Sequence, residues 1–255
     1  APAGMAFQQL AMTGPEIRAV SEHFEKEAAE PAIKLDGPYA TEGNLRRLAG
    51  GRRVVHLATH GFARHDLASG ITPLGVAGFD RLRPGHERFL VHYDLLVLTG
   101  LALAGANRRE GSGDDDGILT ALEAQDLNLE GCELVVLSAC DTALGDMSTA
   151  GEGVIGLVRA FKSAGARSVV ASLWPVDDEA TRRLMEKLYA GAFRKGARRP
   201  PAIALRMAAA ALRDTELEVI DARASMLRGR EVRVKRRPFA SPRHWAAFVA
   251  YGPLR

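Results

Sequence analysis

Two apolar segments constrain this chain more than any other feature: Val54-Val-His-Leu-Ala-Thr-His60-Gly61 and Leu134-Val-Val-Leu-Ser-Ala-Cys140. Both have the length and Val/Leu content of parallel strands buried on two faces. One ends at an imidazole, His60, followed by a glycine. The other ends at a thiol, Cys140, followed by the turn Asp141-Thr-Ala-Leu-Gly145. In open α/β sheets reactive groups collect beyond the carboxyl ends of the strands. A Cys–His pair on neighbouring strands is therefore expected.

The remaining pattern supports such a sheet. An amphipathic helix is expected over Pro15–Ala29, with Ile17, Val20 and Phe24 on one stripe and a Thr13/Glu16 capping box. A short strand is expected over Ala32–Leu35, a short helix over Thr41–Leu48 and a strand over Arg53–Thr59. Between Gly61 and Gly117 the pattern loosens into a long insertion, with a strand-like piece at Leu95–Ala104 and an acidic loop at Gly111–Gly117. That loop lacks the ligand ladder and terminal Glu of an EF-hand. Helices and strands then alternate: helix Leu119–Asp126, strand Glu133–Ala139, helix Gly153–Ala164, strand Arg167–Leu173, helices Asp178–Phe193 and Pro201–Arg213, and strand Trp245–Tyr251. Such alternation implies βαβ units and a mainly parallel sheet between helices, in one domain over residues 1–255.

Charge and composition narrow the function. Residues from Arg194 onward carry 15 Lys/Arg against 5 Asp/Glu, whereas the preceding 193 carry 19 against 26. The densest cluster, Arg228–Arg237, reads as a solvated loop or hairpin. A nucleic-acid-binding module built on it is the alternative, weakened by the lack of interleaved aromatic residues. Two cysteines cannot make a disulfide framework, and Cys132, before its strand, reads as structural. A reducing, cytoplasmic location is expected. No apolar stretch of about 18 residues marks a membrane span, and the first residues do not resemble a secretory signal. The missing initiator Met suggests a piece of a longer protein. Metal ligation is not expected, because His56 and His60, four apart in a strand, would stand about 13 Å from each other.

A thiol near pKa ~8.5 is mostly un-ionised at neutrality, so it needs a base such as His60 to become a nucleophile. A tetrahedral intermediate also needs fixed N–H donors. Gly61, with no Cβ, and Cys140 itself are the candidates for that oxyanion hole.

The blocks HLATHG (His56–Gly61), TGLALAGAN (Thr99–Asn107), DGILTALEAQDLNL (Asp116–Leu129), ELVVLSACDTALGD (Glu133–Asp146), GEGVIGLVRAFKSAGARSVVASLWPVDDEAT (Gly151–Thr181) and HWAAFVAYG (His244–Gly252) resemble, in order, those of a CHAT domain. This is the caspase-like, separase-related peptidase domain of clan CD. The resemblance implies a caspase-like α/β fold with a central sheet of about six mostly parallel strands and helices on both faces. It further implies a cysteine endopeptidase with a His60–Cys140 dyad and no cofactor, in a bacterial protein carrying regulatory repeats. The stretch Trp174-Pro-Val-Asp-Asp178 resembles the separase segment whose acid holds a basic side chain before the scissile bond. It implies substrate contacts by Trp174, Asp177 and above all Asp178, the alternative being that Asp177 or Asp178 caps the next helix. A catalytically silent scaffold would normally lose the Cys or the His, and both are present. Latency without a partner or upstream segment is expected.

Overall fold

The computed structural model of the chain describes residues 6–10, 13–63, 96, 98–108, 115–139, 147–174, 176–220, 223, 226, 227 and 230–254. In chain order its elements are helices α1 (Thr13–Ala28) and α2 (Glu42–Ala49), strands β1 (Val54–Ala58), β2 (His60–Ala63), β3 (Thr99–Ala102) and β4 (Ile118–Thr120), and the one-turn helix α3 (Ala121–Ala124). Strand β5 (Leu134–Ser138), helix α4 (Met147–Ser163) and strand β6 (Val169–Ser172) follow. Helices α5 (Asp178–Phe193) and α6 (Pro201–Arg213), strands β7 (Leu217–Ile220) and β8 (Arg233–Arg236), the short helix α7 (Pro242–Trp245) and strand β9 (Phe248–Tyr251) complete the order.

Strands β1, β5 and β6 pair in parallel, and β9 adds to β6 antiparallel, giving a mostly parallel central sheet in the order β1-β5-β6-β9. Helices flank it on both faces, as the segment pattern predicts. Successive strand side chains point to opposite faces, and β5 uses this fully. Leu134 and Val136 enter one core with Val20 of α1, Leu184 and Leu188 of α5 and Leu212 of α6. Val135 and Leu137 enter the other with Leu45 of α2 and Leu157 and Phe161 of α4. Every residue of β5 is buried, so neither face could be polar.

Local signals set the boundaries. Thr41 caps α2 by accepting from the Asn44 N–H at 3.2 Å. Thr120 and Glu123 form a reciprocal capping box that starts α3. Tandem prolines open α6, where the first N–H would lack an intrahelical partner anyway.

Several expectations need correction. Helix α1 starts at Thr13, whose hydroxyl donates to the Leu10 carbonyl at 2.9 Å. Glu16 is drawn away to His56, so the expected capping box does not form. Residues 32–35 are not a strand. The segment that ends at His60 is also not one strand. β1 stops at Ala58, and His60 opens β2 in a separate antiparallel sheet of order β2-β3-β4. β1 is only half-buried, because among the described residues it forms the edge of the central sheet. The insertion over 61–117 lies in large part outside the described residues. The Arg228–Arg237 cluster supplies β8, paired antiparallel with β7. Among the described residues no helix is long and apolar enough to cross a membrane.

Candidate functional site

Thr59 links the two sheets. Its N–H donates to the Ser138 carbonyl at 3.3 Å, and its hydroxyl donates to the Ala102 carbonyl. The next residue, His60, is buried and pairs across β2–β3 with Ala102. Gly61 then passes the end of β5 so closely that a Cβ there would lie 3.4 Å from both the Cβ and the carbonyl oxygen of Ala139. Ala139 directly precedes Cys140 in sequence. Cys140 itself lies outside the described residues.

The His60 ring has a defined orientation. Its Nε2 meets the backbone carbonyl of Gln8 at 2.5 Å, and its ring lies 5.7 Å from that of Phe7. A carbonyl oxygen can only accept, so Nε2 carries the hydrogen. Nδ1 is then the ring nitrogen able to take up a proton. Neither Phe7 nor Gln8 was marked by sequence reasoning, because an isolated Phe-Gln pair ahead of a helix carries no motif. Asn107, which holds Phe7, was visible only as the last residue of the block Thr99–Asn107.

His56, four residues earlier, serves a different purpose. Its Nε2 donates to the Glu16 carboxylate at 3.0 Å, and its Nδ1 shares a hydrogen bond with the Tyr189 hydroxyl at 3.0 Å. Burial raises the Tyr189 hydroxyl well above its ordinary value, with the Glu16 charge adding to the effect. This network joins β1 to α1 and α5. Among the described residues no group of three His, Cys, Asp or Glu side chains could hold a metal ion.

The other marked residues sit at the start of α5. The Asp177 carboxylate accepts from the Ala180 N–H at 3.0 Å and caps the helix. Asp178 occupies the first turn, and its carboxyl is raised by partial burial and by the neighbouring charges of Asp177 and Glu16. The Trp174 indole N–H donates to the Arg243 carbonyl at 3.1 Å. Cys132 is buried, its thiol donating to the Leu134 carbonyl at 3.5 Å, and burial raises it above the ordinary thiol value.

A cavity of about 960 Å³ opens along the β1 edge, with His60, His56, Gln8, Asn107, Leu35 and Arg53 in its walls. That volume is at the upper end of the range usual for ligand pockets, ~300–1,000 Å³.

A family model for the CHAT domain matches residues 2–253. The chain belongs to the CHAT domain family. The chain is also similar to tetratricopeptide repeat protein 28 of Mus musculus, 30% identical over 135 residues, which cover 53% of the chain and 4% of that relative. The Homo sapiens protein of the same name matches with the same identity and coverage. The CHAT chain thus spans a small fraction of the curated relatives it matches.

Proposed function

We propose that this CHAT domain is a cysteine endopeptidase that cleaves a protein substrate through His60 and Cys140. The observation that carries the reading is His60 itself. Its Nε2 is tied to a backbone carbonyl, and the next residue, Gly61, packs against Ala139, the neighbour of Cys140 in sequence. In the proposed reaction His60 Nδ1 takes the Cys140 proton, and the thiolate adds to the scissile carbonyl carbon. The N–H groups of Gly61 and Cys140 hold the oxyanion. The intermediate collapses as His60 returns the proton to the departing amine, leaving a thioester on Cys140. Water, deprotonated by His60, then releases the acid and restores the thiol.

The cavity along β1 favours an extended polypeptide as substrate. Asp178 is the proposed contact for an Arg or Lys side chain before the scissile bond, since an acid facing a guanidinium makes paired, charge-assisted hydrogen bonds. The likeness to repeat-bearing relatives supports a regulatory repeat partner in the same protein, with latency in its absence.

The test is cleavage of a peptide library by the wild type and by folded variants. Cys140→Ala and His60→Ala should each lower turnover by at least about 10³-fold, while Cys132→Ala retains it. Asp178→Ala should abolish a preference for basic residues. Full activity in Cys140→Ala would overturn the nucleophile assignment, and a wild-type preference for Leu or Met would remove the acidic pocket.

A further inference from the structure

A histidine that serves a thiol must keep one ring nitrogen protonated and oriented, and the group bonded to that nitrogen sets the tautomer. Here that group is the Gln8 carbonyl, supplied by a short irregular segment that helical or sheet hydrogen bonding does not hold in place. Something else must fix it.

Asn107 does so with two hydrogen bonds. Its Oδ1 accepts the Phe7 N–H at 2.9 Å, and its Nδ2 donates to the Phe7 carbonyl at 2.7 Å. One side-chain amide thereby occupies both backbone polar groups of Phe7, as a neighbouring strand would. The Phe7 side chain adds apolar support, packing on the cluster of Phe62, Ala102, Ala106 and Ile118, with its ring 5.8 Å from that of Phe62. Asn107 is itself well placed. A Cβ at Gly117 would lie 2.2 Å from the Ala106 N, so the turn before Asn107 is pressed against the start of β4.

We propose that Asn107 is a positioning residue for His60, acting through the Phe7–Gln8 backbone to keep the Nε2 proton of the imidazole in place. Its consequence for Cys140 rests on the peptidase reading, whereas the bonded state of Nε2 is a property of His60 that is measured separately.

The experiment uses the full chain with ¹⁵N-labelled histidine and follows the His60 Nε2–H resonance. Cys140 alkylation by iodoacetamide is followed in parallel by mass spectrometry of the Cys140 peptide across pH. The wild type should show a His60 Nε2–H protected from solvent exchange. Asn107→Ala should lose that resonance and slow alkylation at pH 7 by about tenfold or more, the scale of one hydrogen bond to a group that becomes charged. Asn107→Asp keeps an acceptor for the Phe7 N–H but has no donor for its carbonyl, and should fall between the two. Asn107→Asp, nearly isosteric with the native amide, covers the case of a misfolded Asn107→Ala variant, and an unchanged resonance in it overturns the proposal. A resonance that survives in folded Asn107→Ala overturns the proposal. So does faster alkylation in that variant, which would mark residues 7–8 as a plug over the site. If the wild type cleaves no peptide, the resonance and its dependence on Asn107 still decide the positioning role.

Discussion

Glu42 carries a local electrostatic penalty. Its side chain is fully buried at the first position of α2, and among the described residues neither carboxyl oxygen has a hydrogen-bond partner. Burial, reinforced by the charges of Glu123, Asp116 and Asp115 and partly offset by Arg46 at 3.7 Å, pushes its pKa up to about 7. The folded-state value lies above the ordinary 4.5, so ionisation opposes folding. The penalty is absent below pH 4.5, grows between 4.5 and 7 and is complete above 7. Glu42→Gln should therefore stabilise the fold by about 1–3 kcal/mol at pH 8 and change little at pH 4. Urea denaturation of both proteins at the two pH values checks this. Equal differences at both would show that Glu42 does not titrate in this range.

At the scale of elements, helix α4 sets how closely the His60 sheet approaches the core. Gly153 faces β2 and β3, and a Cβ there would lie 2.8 Å from the Ala63 Cβ and 3.5 Å from Thr99 Cγ2. Gly153→Ala would gain about 1 kcal/mol of helix propensity. It should nonetheless destabilise the protein by about 1–3 kcal/mol, because the buried methyl overpacks the contact. Thermal melting distinguishes the signs, and a raised melting temperature would show that β2 yields. Sequence reasoning located β5, β6, α5 and α6 well, and α4 apart from its first six residues, because continuous apolar segments, prolines and capping residues are local signals. It ended the strand at Thr59 and left β2 in the loose stretch after His60, because β2 depends on a partner, β3, some 40 residues away in sequence. Ala32–Leu35 has strand-like composition but finds no partner strand among the described residues, and composition cannot supply one. Within the site, His60 and Gly61 were legible as a strand-end pair. The bonds from Phe7 and Gln8 to Asn107 and His60 span 100 and 52 residues and leave no periodic trace.

Across the whole molecule, one sheet divides two cores and ties their stabilities together. Adjacent residues of β5 belong to opposite cores, so neither can loosen without exposing the back of the other. Both tryptophans, Trp174 and Trp245, pack against the core containing α5 and α6. Leu157 lies in the other. Leu157→Ala should cost about 2–5 kcal/mol and shift tryptophan fluorescence and circular dichroism to the same lower urea midpoint, as one cooperative transition requires. A fluorescence midpoint that stays at the wild-type value would show that the two halves melt independently.

Thr59 also acts as a mechanical joint. It is the single residue between strands of two different sheets, bonded on one side to Ser138 and on the other to Ala102. Because Thr59 is bonded to Ser138 of β5 and Gly61 rests on Ala139, a displacement of the antiparallel sheet is passed directly to the end of β5. In the proposed peptidase, a single residue therefore sets how His60 stands relative to the end of β5.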